Sequence, residues 1–137
     1  MQKTISDLLA IAALAKEVHW NARGTGFISV HRYLDEVYDS ALEHVDTLAE
    51  HMVSTGIYGD PQYVLGGFDT FPQLLIIREP RSIRTGLGQI VHHLVEFTES
   101  LDEFLANTTD DPAGQDYIVK CLQDFNKHLW LLSGELT

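Results

Sequence analysis

The chain has 137 residues, of which 20 are Asp or Glu and 9 are Lys or Arg, so its formal charge is -11 with all seven histidines counted as neutral. An apolar content of 45% is enough for one hydrophobic core at this length, which excludes a disordered chain, and the single cysteine excludes an internal disulfide. An acidic balance repels nucleic acid and anionic membranes and attracts cations, so metal ions are the first class of partner to consider.

The chain, residues 1–137, is interpreted as one domain. Its longest apolar run near the start, residues 8–15, is too short to cross a bilayer. Only Lys3 precedes that run and Asp7 interrupts the approach to it, which is weak support for a secretion signal. We therefore expect a cytoplasmic protein with no membrane partner, in which the Cys121 thiol is reduced, buried and unreactive.

Glycine and proline clusters divide the chain into segments whose apolar residues recur at helical spacing. The first predicted helix covers about residues 4–21, where Thr4 and Asp7 resemble a capping box. The second covers about residues 27–54, and Gly56 is placed to end it.

The third predicted helix covers about residues 83–105, with Gly86 and Gly88 weakening its first turn, and the fourth about residues 116–132. The stretch 55–81 is too long for an ordinary loop between helices and contains apolar groups of its own. Strand-like alternation is nowhere sustained. The predicted fold is all-α, an antiparallel four-helix bundle with a short extra helix in the long crossover between helices 2 and 3.

The second helix carries four side chains of the kinds that bind metals, all on one stripe. With His31 at zero on a helical wheel, Asp35, Asp46 and Glu50 fall at about 40°, 60° and 100°. Mixed imidazole and carboxylate ligands suit first-row divalent metals such as Fe(II), Mn(II) or Zn(II). For one pair alone a solvated helix face is the ordinary explanation, but the joint pattern favours a metal site.

His31 and Asp46 are separated by about 22 Å along a straight helix, so the two ends of the stripe cannot hold the same ion within one chain. Either there are two separate sites, or two chains meet. If this helix packs antiparallel against its own copy across a two-fold axis, the His31 end of one chain reaches the Glu50 end of the other. His19, joined to the second helix by a short loop, could add another imidazole.

These residues resemble the signature of the Dps family, the mini-ferritins of the ferritin-like superfamily. The matching segments are His19-Trp20-Asn21, a turn containing glycine, Phe27, His31, Asp35, Asp46 and Ala49-Glu50, together with a closing segment Asn126-Lys127-His128-Leu129-Trp130. The resemblance covers nearly the whole chain and is least distinctive in the crossover.

The resemblance implies a homo-oligomeric shell, a dodecamer of four-helix subunits, with a ferroxidase site at each two-fold interface. His19, His31 and Asp35 would come from one subunit and Asp46 and Glu50 from its neighbour. The shell would oxidise Fe(II), preferring hydrogen peroxide over dioxygen, protect against oxidative stress and store iron as a ferric mineral. Zinc could substitute for iron at the site. By the same resemblance, Trp20 lies beside the centre and could take up a stray oxidising equivalent.

Other metal-binding patterns are disfavoured. No Glu is followed by His three positions later, which argues against an iron pair held inside one subunit. His44 and His51 fall on the far side of the second helix. His92, His93 and His128 are interpreted as exposed or hydrogen-bonded side chains, with auxiliary metal binding as the lesser alternative.

Three acids near the start of the last helix, Asp110, Asp111 and Asp116, match the region where Dps-like shells form an acidic pore at a three-fold axis. The competing interpretation is a polar loop in which Asp or Thr caps the last helix. Lys120 in the same region counts slightly against the pore.

DNA binding is not expected, because the chain shows no Lys-rich or Arg-rich tail. The one local basic group, Arg78, Arg81 and Arg84, is expected to solvate the crossover. Two alternatives to iron storage stay open: a nucleoid-compacting shell, and a structural shell whose metal site holds zinc or is idle.

Overall fold

A computed structural model describes residues 1–59 and 76–137 of the chain. Four long helices dominate it, and two short strands accompany them. The helices are α1 (Gln2–Asn21), α2 (Phe27–Ser54), α3 (Ile83–Asn107) and α4 (Pro112–Leu136), and the strands are β1 (Ala22–Arg23) and β2 (Arg81–Ser82). The predicted all-α four-helix bundle is confirmed. The extra helix predicted in the crossover lies largely within residues 60–75, outside the described residues.

The bundle consists of two helical hairpins. Helix α1 packs most extensively on α2, α3 packs on α4, and α1 also lies against α3. The core between them is built from residues that are fully buried, including Leu8, Leu34, Leu94 and Phe125. Burial of this kind is the main stabilising term for helices that would be marginal alone.

Helix α1 differs from its prediction at its start. It begins at Gln2 and has no side-chain cap, so the capping box proposed for Thr4 and Asp7 is wrong. Thr4 is buried within the helix, and the Asp7 carboxylate instead accepts a hydrogen bond from Lys3 Nζ at 2.5 Å. Helical spacing of Lys3 and Asp7 allows this pairing, which the capping pattern does not reveal.

Helix α4 begins four residues earlier than predicted, and the reason is a cap. Asp111 precedes Pro112, and its side chain accepts a hydrogen bond from the Gly114 amide at 3.0 Å. Proline suits the first helical position because its missing N–H would have no partner there. The capping interpretation of this loop is therefore confirmed for Asp111.

Helix α2 has the predicted bounds, and Gly56 ends it. The Ile57 amide donates to the Met52 carbonyl at 2.8 Å, and the Gly56 amide donates to the Val53 carbonyl at 3.2 Å. These two bonds form the Schellman arrangement that satisfies carbonyls left open at a helix end.

Gly86 has a packing role that outweighs its weak helix propensity. A Cβ atom at this position would lie 2.6 Å from Val18 Cγ1, so only glycine lets α3 approach α1 this closely. Close by, β1 and β2 pair in parallel, with Ala22 opposite Arg81 and Arg23 opposite Ser82. This two-residue pairing is too short to produce strand periodicity, and it fixes the end of the crossover beside the end of α1.

The Cys121 thiol is fully buried in α4, as predicted, and burial raises its pKa to about 12. No helix among residues 1–59 and 76–137 is long and apolar enough to span a bilayer.

Candidate metal centre

The turn between α1 and α2 positions the first part of the candidate site. Gly26 has a φ of +81° and stands directly before Phe27, the first residue of α2. Residues with a Cβ rarely adopt this left-handed conformation, so glycine permits the chain to reverse here. As a result, His19 in the last turn of α1 faces His31 in α2.

The imidazole ring of each of His19 and His31 hydrogen-bonds to the backbone carbonyl of the other residue. His19 Nδ1 lies 2.7 Å from the His31 carbonyl oxygen, and His31 Nδ1 lies 2.9 Å from the His19 carbonyl oxygen. The two rings stack with centroids 3.6 Å apart. Because a carbonyl can only accept, each Nδ1 carries a hydrogen, which leaves Nε2 of each ring as the atom able to bind a metal.

Asp35 adjoins this histidine pair but is held by a lysine. Its Oδ1 atom lies 3.3 Å from His19 Nδ1 and accepts a hydrogen bond from Lys16 Nζ at 2.5 Å. The Lys16 ammonium group, with a smaller contribution from His19, keeps the pKa of Asp35 below its usual range. Lys16 also lies over the Tyr38 ring, 4.8 Å from its centroid.

The three side chains predicted to come from one subunit are therefore neighbours, but their donor atoms are not close enough together to bind one ion. Among the described residues, the one group of three ligand residues whose donor atoms all lie within 4.8 Å of one another is His92, His93 and Glu96. The His19, His31 and Asp35 trio does not reach that spacing. The Lys16 ion pair offers a reason, because it occupies the Asp35 oxygen nearest to the histidines.

Asp46 and Glu50 lie on the exposed surface further along α2. The helix rise separates Asp46 from His31 by about 22 Å, so one chain does not bring the two ends of the stripe together. Within the described parts of the chain neither carboxylate forms an ion pair. Each chain thus presents an imidazole end and an acidic end.

Trp20 directly follows His19 and keeps 43% of its surface exposed. Its carbonyl oxygen accepts a hydrogen bond from Arg23 Nη1 at 2.8 Å. The indole is therefore partly open to solvent beside the histidine pair.

The other histidines of α2 face the fourth helix. His44 Nε2 lies 2.8 Å from Asp124, and His51 Nε2 lies 2.8 Å from Asp111. Both contacts are directed away from His31, as the helical wheel predicts.

The acids predicted for a pore have unequal surroundings. The His51 hydrogen bond, followed by that of the Gly114 amide, keeps the pKa of Asp111 below its usual range. Asp116 pairs with Lys120 at 2.9 Å, and Asp110 is exposed. Asp111 is therefore already used in capping, whereas Asp110 and Asp116 remain at the surface.

Sequence reasoning missed three residues that fix the end of α1. Lys16 lies one turn before His19, and that spacing could have indicated its place beside the site. Asn21 donates to the Ile76 carbonyl and accepts from the Arg78 amide at 2.9 Å, which ties the end of the crossover to α1. The third is Glu17, whose partners are distant in sequence.

Glu17 is buried, and both of its oxygens are bound by Arg81 in a forked ion pair, with Arg78 Nη1 3.6 Å away. Arg84 donates to the Leu136 carbonyl at 2.8 Å. The expectation that these arginines merely solvate the crossover is wrong, because Arg78 and Arg81 pair with Glu17 and Arg84 binds the end of α4. Such a buried carboxylate requires a charged partner.

A hydrogen-bonded pair of half-buried Tyr33 and buried His128 joins α2 to α4. The Tyr33 hydroxyl lies 2.7 Å from His128 Nδ1, and desolvation raises the pKa of Tyr33 to about 12. Burial likewise lowers the pKa of His128 and of His93. Both imidazoles are favoured in the neutral form in the folded chain.

This burial predicts that the protein loses stability in mild acid. As pH falls through about 6.5, His128 is protonated in the unfolded chain but stays neutral where it is buried in the folded chain. The free energy of unfolding therefore falls by up to about 1.4 kcal/mol per pH unit for each such histidine. His128→Gln removes one contribution. Thermal unfolding at fixed protein concentration should therefore show a smaller gap between wild type and His128→Gln at pH 5.5 than at pH 8, and an equal gap would contradict the assignment.

Comparison with known proteins agrees with the fold. A family model described as the ferritin-like domain matches residues 1–137. A DNA protection during starvation protein of Brevibacillus brevis is 25% identical, over 99% of this chain and 91% of its own. The fine tangled pili major subunit of Haemophilus ducreyi is 35% identical, over 99% of this chain and 72% of its own.

Among solved structures, the Dps of Microbacterium arborescens in its high iron form has a TM-score of 0.85 at 23% identity, covering 98% of this chain and 88% of that one. At this identity the likeness shows a shared fold. Together with the family match over the whole chain and the named relatives, it confirms the predicted resemblance at the level of the family. The chain belongs to the ferritin-like family, and the relatives and solved structures that it resembles include Dps proteins.

Proposed function

We propose that this protein is an iron-storage and detoxification mini-ferritin that oxidises Fe(II) at sites shared between subunits. The observation that carries the proposal is the His19 and His31 pair, whose Nδ1 atoms are committed to backbone carbonyls so that the Nε2 atoms are the remaining ligands. Asp35 beside them adds a carboxylate. Imidazole and carboxylate ligands together suit Fe(II) as a substrate.

The acidic half of each site would come from a second copy of the chain. Asp46 and Glu50 share the stripe of His31 on α2, and both are exposed. An antiparallel pairing of α2 with its copy across a two-fold axis places the acidic end of one chain at the imidazole end of the other. Such dimers would build a closed homo-oligomer, for which the family resemblance implies a dodecamer.

In this arrangement the residues have separate roles. His19 and His31 fix the position of Fe(II), while Asp35, Asp46 and Glu50 neutralise the charge that grows on oxidation. Trp20, partly exposed next to His19, would accept a stray oxidising equivalent. Asp110 and Asp116, at the surface near the start of α4, would draw Fe(II) inward if their copies converge.

Hydrogen peroxide is the proposed oxidant. Two Fe(II) ions give one electron each, the O–O bond breaks, and both oxygens leave at the level of water while the ferric product hydrolyses and releases protons. No free radical is needed, which suits a protective protein. The names of several relatives, DNA protection during starvation protein, support that role.

Anaerobic Fe(II) titration followed by peroxide tests the activity directly. We expect about two Fe(II) to be oxidised per peroxide and faster oxidation than with the same amount of dioxygen, because peroxide accepts the electron pair in one event. Stopped-flow absorbance of the ferric product measures both quantities. Oxidation no faster than in buffer would support a structural shell with a zinc-filled or idle site.

Lys16 should act as a brake on Fe(II) binding, because its ammonium group holds the Asp35 oxygen that a metal needs. A half-exposed ion pair of this kind is worth up to about 1 kcal/mol, so Lys16→Met should tighten anaerobic Fe(II) binding by about two- to fivefold. Lys3→Met, which breaks a similar pair with Asp7 at the other end of α1, serves as the control. Equal affinity in wild type and Lys16→Met would rule out the brake.

DNA compaction is the less favoured function. The formal charge of -11 repels phosphate, and all three clustered arginines are engaged within the fold, Arg78 and Arg81 by Glu17 and Arg84 by the Leu136 carbonyl.

A further inference from the structure

A second cluster of metal-binding side chains lies on α3, away from the histidine pair of the candidate ferroxidase site. His92, His93 and Glu96 place their donor atoms within 4.8 Å of one another. Glu96 follows His92 by four residues and His93 by three, so its carboxylate lies over both imidazoles on the helix surface.

The two separations that involve Glu96 are close to those between ligands of a shared ion. Glu96 Oε1 lies 3.6 Å from His92 Nε2, and Glu96 Oε2 lies 3.5 Å from His93 Nδ1. Ligands bound at about 2.0–2.1 Å to a tetrahedral Zn²⁺ are about 3.3 Å apart. Small rotamer changes would therefore let the three donors bind one cation.

The surroundings favour a cation. His93 and Glu96 line an open cleft between α3 and the start of α1, together with Asp7, Glu99 and Glu103. Helix α3 has no Lys or Arg after Arg84. Among the described residues that line the cleft, the single lysine, Lys3, is paired with Asp7, so the field at the cluster is negative.

We propose that His92, His93 and Glu96 form a second metal site, which takes one divalent first-row transition-metal ion such as Zn²⁺ or Co²⁺ and leaves further coordination positions to water. Two imidazoles and one carboxylate with open positions suit such ions better than Mg²⁺ or Ca²⁺, which prefer oxygen ligands. Asp7 of the shared cleft is about 18 Å along α1 from His19, so this site is separate from the one proposed for Fe(II) oxidation.

An ordinary helix-surface contact between His92 and Glu96 is the competing explanation. A contact of that kind involves a single imidazole and stabilises the helix only slightly. Here one carboxylate engages two imidazoles through separate oxygens, and one imidazole is buried while the other is 67% exposed. The exposed members can be replaced without disturbing the core.

Zn²⁺ binding by the full chain, in its native assembly and in a His31→Asn background, tests the site without reliance on iron oxidation. Calorimetry should detect a Zn²⁺ site whose affinity falls at least tenfold in His92→Asn and in Glu96→Gln, since each loses a ligand. Glu99→Gln, which removes the same charge from the same cleft, should change the affinity less than twofold. Co²⁺ absorption should show loss of one nitrogen ligand in His92→Asn only.

The result that overturns the proposal is equally specific. Zn²⁺ binding that is absent in the parent, or that is unchanged by His92→Asn and Glu96→Gln, removes the site. An equal loss in Glu99→Gln and Glu96→Gln would mean that Zn²⁺ is attracted by diffuse negative charge and is not bound by these three ligands.

Discussion

Replacing His31 by Asn should lower the rate of Fe(II) oxidation by peroxide at least tenfold. The substitution removes one imidazole ligand and the ring that stacks on the His19 imidazole with centroids 3.6 Å apart, while the His31 backbone carbonyl that accepts from His19 Nδ1 remains. Loss of a group that only supports a ligand typically costs about ten- to a hundredfold in metal affinity or activity, and loss of a ligand itself should cost at least as much. Stopped-flow measurement after anaerobic loading with Fe(II) gives the rate.

The matched control is His44→Asn, the same substitution in the same helix on the face that contacts Asp124. It should leave the oxidation rate within about twofold of wild type, because it touches no proposed ligand. Thermal unfolding of both variants separates loss of a ligand from loss of fold. A His31→Asn protein that is folded, assembled and as fast as wild type would exclude His31 from the centre.

Mixing two inactive variants should restore activity if the site is shared between chains. In His31→Asn homo-oligomers every imidazole end lacks His31, and in a variant with Asp46→Asn and Glu50→Gln every acidic end lacks both carboxylates. When the two chains assemble together at random, half of the two-fold interfaces are mixed, and each mixed interface contains one intact site. About a quarter of the wild-type sites should then return.

Activity as a function of the mixing ratio measures this restoration after unfolding and joint refolding. Each variant refolded alone provides the baseline. If all ligands came from one chain, every site would carry a substitution and the mixture would be no more active than its components. That outcome would contradict the shared site while leaving the family assignment intact.

Much of the fold follows from local patterns. Apolar residues at helical spacing predicted all four described helices, and Gly56 ends α2 as its position indicates. The errors concern the first residues of helices, because the position of one capping side chain shifts the start of a helix by several residues. Asp111 begins α4 at Pro112, while the apparent capping box at Thr4 lies within a helix that begins at Gln2.

Local patterns also predicted which of the candidate site residues are neighbours within one chain. His31 and Asp35 share a stripe because helical geometry is fixed by sequence spacing, and His19 adjoins them because the intervening loop is short. The sequence did not predict the ion pair between Lys16 and Asp35, because that ion pair joins two different helices. Glu17 and Arg81, 64 residues apart, could not be paired from spacing at all.

The sequence by itself determined the helices, the acidic character and the residues that are candidate metal ligands, because these depend on composition and on a repeat of known pitch. Only the tertiary structure decided which ring nitrogen of His19 and of His31 bonds to a backbone carbonyl and that Lys16 pairs with Asp35. It also decided that the donor atoms of His92, His93 and Glu96 lie within 4.8 Å of one another. Those features depend on how helices approach one another and on side-chain rotamers, and spacing along the chain fixes neither.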